Sequence, residues 1–322
     1  MPKPPPNLIS LHVEPITFQP LYMERVWGGR ELQHRYQRTL PKDCGPIGEA
    51  WEIVDRVEHQ SVVNHGPLKG MTLHDLWTKQ RREIFGNCPE SERFPLLLKI
   101  LDCQDDLSIQ VHPPESIAGE LHGEPKNELW YIIDNLDGAK LHIGLRKGVD
   151  REHLEQAIAK EDLTECIHSI EAKAGQSIFI PSGRLHAIGA GFLIHEIQQN
   201  SDTTYRIHDW NRLGLDGQPR PLHIETSLRC IDFDDIEPAM NESDCHHQCP
   251  LFEIKQHHLG AGMVIGNPIA HRFSIISLLD GTLHSEEGRR FTPGDSLILP
   301  HGNHLLTAST PVNLLQTIIP SA

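Results

Sequence analysis

The sequence is short of positive charge. Its 29 Lys plus Arg face 44 Asp plus Glu, a formal charge of -15 over 322 residues. A general nucleic-acid binder needs a concentrated basic face, so that class is disfavoured, and what is left is room for a local pocket that takes a small anion. Long apolar runs are missing too. None approaches the ~20 residues that cross a bilayer, so no membrane partner is expected. The opening MPKPPPNLIS lacks the apolar stretch of a secretory signal, and Pro4–Pro6 exclude a regular helix there. The seven cysteines, an odd number spread from Cys44 to Cys249, do not read as a disulfide framework. These absences point to a soluble, cytoplasmic protein. No GxGxxG loop, Walker A sequence, GxSxG elbow or HExxH helix occurs.

What is present suffices for a core. Apolar residues make up 38% and charged residues 23%, and the length suggests roughly two domains at about 150 residues each. Strand-length pieces dominate. They include residues 48–55, 94–102, 107–112, 128–134, 140–145, 176–181, 191–199 and 203–210, separated by Gly and Asn-Leu-Asp-Gly punctuation. Helical patterns occupy residues 70–85, with Thr72 as the cap, and residues 150–167, with Leu154, Ile158 and Leu163 on or near one face. Many short strands with polar turns predict a mainly β protein built on a sandwich or barrel. Residues 234–250 are polar and aperiodic, which places a boundary near 240. An N-terminal domain of residues 1–240 and a C-terminal β domain of residues 241–322 are expected. AGQSIFIPSGRLH from Ala174 echoes PGDSLILPHGNHL from Pro293 at a constant offset of 119, pairing Gly175 with Gly294 and Gly183 with Gly302. The echo fits a duplicated barrel module. It fails at His186, which meets Leu305, so the second copy is expected to keep the scaffold without the site.

Histidine is abundant, 22 of 322, and most of these need no ligand role. One subset can converge. Gln110 and His112 are two apart on a strand and so share a face. Glu128 begins the next strand and His186 follows the turn Pro181-Ser182-Gly183. Two imidazoles, a carboxylate and an amide oxygen suit a borderline divalent ion, zinc first. Lys99 sits in apolar LLLKI, which should not hold an ammonium without a partner. With Lys126, Arg184 and Arg206 it could form an anion pocket, and alternation puts Arg206 on one face with Thr204 and His208. The cluster Cys245, His246, His247, Cys249 lacks the longer loop between ligand pairs of a closed zinc site and reads as linker.

These residues carry a resemblance. VWGGREL at 26–32, GEAWEI at 48–53, LSIQVHP at 107–113, KNELWYI at 126–132, IPSGRLHAI at 180–188 and NSDTTYRIHDW at 200–210 follow in order. The chain thereby resembles the short bacterial form of class I (type I) mannose-6-phosphate isomerase, a zinc enzyme of the cupin superfamily. The resemblance implies cupin (jelly-roll β-barrel) modules with a small helical portion. It implies one Zn2+ per chain on Gln110, His112, Glu128 and His186, with Gln110 the least secure ligand. It implies catalytic roles for Arg206, Lys126 and Glu196, and pocket roles for Ser108, at the phosphate end, and for Lys99, Trp27 and His208. The reaction implied is interconversion of mannose 6-phosphate and fructose 6-phosphate through an enediolate. The proton carrier stays open among Glu196, Lys126, His208 and metal-bound water. A small sugar phosphate is the expected partner, and a monomer or weak homo-oligomer the expected assembly. The alternatives are a sugar-phosphate-binding cupin without catalysis, and a cupin oxygenase or epimerase.

Overall fold

The computed structural model describes residues 13–320, so Pro4–Pro6 lie outside the described residues. In chain order the first strands are β1 (Ile16–Thr17), β2 (Leu21–Gly29), β3 (Ile47–Ile53), β4 (Leu96–Cys103), β5 (Ile109–Val111), β6 (Glu128–Asn135) and β7 (Lys140–Leu145). Next come β8 (Ile167–Glu171), β9 (Ser177–Ile180), β10 (His186–Ile188), β11 (Phe192–Gln199) and β12 (Tyr205–His208). The last third carries β13 (His246–Gln248), β14 (Glu253–Leu259), β15 (Val264–Gly266), β16 (Ser274–Asp280), β17 (Leu283–Ser285), β18 (Arg290–Phe291), β19 (Ser296–Leu299), β20 (Leu305–Ala308) and β21 (Val312–Ile318). Six short helices intervene: α1 (Glu31–Tyr36), α2 (Leu73–Lys79), α3 (Arg81–Ile84), α4 (Glu115–Ala118), α5 (Arg151–Ala159) and α6 (Ile224–Cys230).

The expected helical stretches form in part: residues 70–85 give α2 and α3, and residues 150–167 give α5 followed by a 3-10 turn over Leu163–Cys166. Thr72 accepts a hydrogen bond from the Asp75 N–H at the start of α2, whose Leu73, Leu76 and Trp77 are buried. Asp150 caps α5 through the His153 N–H, and Leu154 and Ala157 are buried beneath it.

The strands form two jelly rolls with the same plan. The first pairs a sheet of order β2-β3-β4-β11-β6-β9 with one of order β12-β5-β10-β7-β8. The second pairs β1-β19-β16-β21-β14-β13 with β15-β20-β17-β18. Eight neighbours therefore recur in register, β4-β11-β6-β9 as β14-β21-β16-β19 and β5-β10-β7-β8 as β15-β20-β17-β18. The sequence echo is part of this repeat. Gly175 and Gly294 take φ of 93° and 91°, and Gly183 and Gly302 take 95° and 117°, a region that favours glycine. β1 comes from the N-terminal side of the chain, yet it completes the edge of the second repeat by pairing Ile16 with Ile298.

Period-two alternation explains why the central strands read as continuous apolar runs. On β4, β6 and β11, one set of side chains (Leu101, Trp130, Ile132, Ile194) fills the first barrel. The other set (Leu98, Leu129, Ile197) joins Ile254, Ile275 and Leu315 of the second repeat in one shared core. Lys99 and Glu196 fall on the barrel-facing set, which delivers charge into its interior. At the end of the shared core, Phe273 meets Phe85 edge-on at 5.0 Å, and Trp77 meets Phe85 and Phe94 at 4.9 and 5.2 Å. His195 ties the repeats together: Nδ1 lies 3.0 Å from the Lys99 carbonyl and Nε2 lies 2.8 Å from Ser277 Oγ on β16.

Two outcomes follow. Phe273→Ala should remove about 3–5 kcal/mol from unfolding stability, read by urea denaturation, because it opens a cavity between the repeats; a loss below about 1 kcal/mol would show that the aromatic cluster does not join them. Burial pushes His195 down to about 4, against the hydrogen bond its Nδ1 donates to the Lys99 carbonyl, which raises it. Between that value and about 6.5 the unfolded chain binds the extra proton, so stability falls as pH drops through this window and levels off below it, by about 3 kcal/mol at most. His195→Gln should flatten that part of the pH profile.

Candidate active site

Three donors meet at one end of the first barrel. His112 follows β5, Glu128 opens β6 and His186 opens β10, and their ligand atoms all lie within 4.8 Å of one another. Both imidazole Nε2 atoms stand 3.7 Å from Glu128 Oε1. Their Nδ1 atoms lie 2.8 Å from the Thr203 carbonyl and 2.9 Å from the Arg184 carbonyl. A carbonyl only accepts, so Nδ1 carries the proton in each ring and Nε2 presents a lone pair. Burial, aided by the adjacent His112, pushes His186 down to about 3, and burial also lowers His112. Burial works against the Glu128 charge, yet the Lys126 ammonium outweighs it and holds the carboxyl well below its ordinary value. Glu128 Oε1 has no hydrogen-bond partner although it is buried. An unsatisfied anionic oxygen facing two imidazole lone pairs is a repulsive arrangement without a cation and a good donor set for a divalent one.

Gln110 sits beside this trio. Strand pairing sets it opposite His186. Its Nε2 lies 3.3 Å from His186 Nε2, and its Oε1 accepts from Ser108 Oγ at 3.1 Å. The amide thus touches the trio, but its nitrogen is the end turned inward.

A cavity of about 490 Å³ opens between the two sheets, lined by Trp27, Lys99, Ser108, Gln110, Lys126, His186, Glu196 and Arg206 among others. Buried charges alternate along its floor. Lys126 Nζ donates to Glu128 Oε2 and lies 3.3 Å from His112 Nε2 and 3.6 Å from Glu196 Oε1. Lys99 Nζ lies 3.1 Å from the same Glu196 oxygen, and Trp130 Nε1 donates to Glu196 Oε2 at 3.1 Å. Arg206 enters from β12. Burial first, then the neighbouring Arg220, lowers its pKa, and its Nε is buried without a hydrogen bond.

Two expected positions do not reach the cavity wall. His208 packs edge-on against Trp210 at 5.2 Å. A bulge after Arg206 breaks the alternation: Arg206 lies opposite Gln110, whereas His208 lies opposite Ile109, whose side chain belongs to the core. Arg184 is committed elsewhere, to Asp235 through Nε at 2.8 Å and Nη2 at 2.6 Å. The Cys245–Cys249 cluster forms no metal group among the described residues; Cys245 is buried and His247 stacks on Phe179 at 4.1 Å.

Other wall residues were not singled out from the sequence. Glu49 lines the cavity and binds Arg25 bidentately at 3.2 and 3.0 Å. Burial raises its pKa, but Lys99 and Arg25 together bring it down to about 2. The strand pattern of GEAWEI, with Glu49 and Trp51 two apart, was the available signal. Gly214, Leu215, Asp216 and Arg220 also line the cavity, from a hairpin with no motif of its own. In the second repeat, Leu305 lies opposite Gly266 where the first sets His186 opposite Gln110, and no second trio occurs among the described residues.

Residues 16–144 match the family model described as phosphomannose isomerase type I, catalytic domain. The chain is 35% identical over 309 residues to mannose-6-phosphate isomerase ManA of Bacillus subtilis, covering 90% of this chain and 94% of that protein. It is 42% identical over 216 residues to mannose-6-phosphate isomerase of Streptococcus mutans, covering 67% of each. The crystal structure of the mannose 6-phosphate isomerase from Bacillus subtilis superposes with a TM-score of 0.85 at 32% identity, covering 95% of this chain and 99% of that one. The Salmonella typhimurium enzyme in its apo form shares the fold, with a TM-score of 0.73 at 17% identity.

Glu128→Ala and His112→Ala should each abolish stoichiometric metal in the purified protein, read by elemental analysis. Either variant retaining one metal per folded chain would remove that residue from the ligand set.

Proposed function

The chain belongs to the mannose-6-phosphate isomerase family, and from that premise we propose that its barrel cavity interconverts D-mannose 6-phosphate and D-fructose 6-phosphate through an enediolate. The fold is the cupin fold and the enzyme is an aldose-ketose isomerase. The observation that carries the site assignment is the orphaned Glu128 Oε1 facing two imidazole lone pairs beside a cavity walled by Lys126, Glu196 and Arg206. His112, Glu128 and His186 are the ligands we assign to one divalent cation per chain, with Gln110 adjoining. Two neutral nitrogens and one carboxylate favour zinc among the divalent ions. When bound, that ion supplies Lewis-acid stabilisation to substrate oxygens.

The chain's own residues supply the rest. The carbon next to a carbonyl is a weak acid, so a base must sit close to it and the developing oxyanion must be neutralised. Glu196 faces the cavity with one oxygen fixed by Trp130 and the other shared by two ammonium groups. We assign it as the group that takes the proton from C2 and returns it to C1. Lys126 lies between Glu196 and the metal trio and balances negative charge as it develops. Arg206 adds a guanidinium whose Nε is free to donate. Trp27 supports the wall, Lys99 holds Glu196, and Ser108 with the arginines at the mouth takes the phosphate. Each chain carries a complete cavity, which suits a monomer or weak homo-oligomer. The seven free cysteines suit the reducing cytoplasm. No described helix is long and apolar enough to cross a membrane. We divide the chain near residue 240 into a catalytic repeat and a scaffold repeat.

A coupled assay tests this. Fructose 6-phosphate should appear from mannose 6-phosphate, stop on chelation and resume with added zinc. Arg206→Ala should keep the metal and lose roughly 10²-fold in kcat. Binding of the sugar phosphate without turnover in the metal-loaded protein would instead favour the non-catalytic reading.

A further inference from the structure

One buried acid near the cavity has no place in the chemistry above. Asp209 lies one residue beyond β12 and is 6% exposed. It accepts from Arg220 through two groups: Nε bonds Oδ2 at 2.7 Å and Nη2 bonds Oδ1. It also accepts from Arg212 Nη2 at 3.0 Å. Arg212 Nη1 reaches Asp105 at 3.3 Å.

The two arginines are the legs of a small hairpin. Leu213 bridges to Pro219, and the Gly214 N–H donates to the Gln218 carbonyl at 2.7 Å. The turn Leu215-Asp216-Gly217-Gln218 is exposed, and Leu213 and Leu215 are more than half accessible. Gly214, Leu215, Asp216 and Arg220 form part of the cavity wall. One carboxylate therefore fixes both ends of a segment whose middle closes the cavity on one side.

The pairing also sets what the cavity meets. Binding to Asp209 engages the Nε–Nη2 edge of Arg220, so a ligand would meet its Nη1 end. Arg206 lies close enough for Arg220 to disfavour its charge. Both guanidiniums line one cavity, and Arg220 keeps its Nη1 donors after pairing with Asp209, so an anionic group on a ligand can be met there. An arginine locked in a fork loses less freedom on binding than a free one.

We propose that Asp209 is a positioning residue for the phosphate end of the substrate, holding Arg220 and its hairpin so that Arg220 meets the phosphoryl group at the cavity wall while Arg206 stays with the reacting carbons. This rests on the sugar-phosphate reading above and assigns Asp209 no part in proton transfer. Neutralising it frees Arg220 and loosens the hairpin, which weakens ground-state and transition-state binding alike, so KM rises while kcat holds.

The test pairs kinetics with a probe that needs no turnover. Wild type, Asp209→Asn and Arg220→Lys, each metal-loaded and matched for thermal unfolding, are titrated with inorganic phosphate calorimetrically and assayed with mannose 6-phosphate. Asp209→Asn should weaken phosphate binding and raise KM by about tenfold or more, with kcat within about threefold of wild type. Arg220→Lys keeps the charge but loses the two-point lock, and should follow the same direction. Unchanged phosphate affinity in a folded Asp209→Asn, or a fall in kcat at constant KM, would overturn the proposal. If Asp209→Asn does not fold, wild-type values for Arg220→Lys would overturn it alone. Wild type that binds phosphate without isomerising the sugar would sink the enzymatic reading while leaving this one standing, so the two failures are distinct.

Discussion

A carboxylate cut off from water governs the centre of this molecule. Glu128 is fully buried, and a buried charge is tolerated only where opposite charge or firm hydrogen bonds offset its lost hydration. Lys126 offsets one oxygen. The other faces two imidazoles whose protons are already committed to backbone carbonyls. Strand pairing brings these groups together from distant stretches, and those same backbone bonds fix which nitrogen points inward. The three donors are held by the sheets in an arrangement that could take a cation.

From that centre the charge pattern spreads outward. Lys126, Glu196 and Lys99 form a row in which each ammonium has a carboxylate neighbour, and Glu49 with Arg25 extends it to the rim. The row lies on the barrel-facing side of β4 and β11 and just ahead of β6, while their opposite side is mainly apolar, with His195 bonded across it, and is shared with the second repeat. A single period of two therefore yields both a charged cavity and a dry junction. The second repeat keeps the strand order but pairs Gly266 with Leu305 where the first pairs Gln110 with His186.

Much of this was legible in the sequence, for identifiable reasons. The strands announced themselves by length and turn residues, α2 by Thr72 and α5 by the spacing of Leu154 and Ile158. The repeat was visible because Gly175, Gly183 and their counterparts occupy backbone conformations that favour glycine. His112, Glu128 and His186 were legible as a set because each sits at a strand end. His208 was not, since a bulge between it and Arg206 depends on pairing with β5 and leaves no mark on composition. Arg184 was misleading because its partner, Asp235, lies 51 residues away. Arg220 and its hairpin gave no signal, as a polar turn reads the same over a cavity as over open solvent.

The two-residue β1 imposes an order on biosynthesis. Its partner β19 is made almost a whole chain later, so a strand synthesised first must wait until nearly the last for its place. Meanwhile the edge it will cover does not exist, and once β19 forms, that edge stays open until Ile16 and Thr17 arrive, with Arg289 bonding Thr17 and the Pro15 carbonyl. Open sheet edges recruit other chains. Shortening the protein past Thr17 would spare every ligand and every wall residue, yet it would leave a surface prone to self-association.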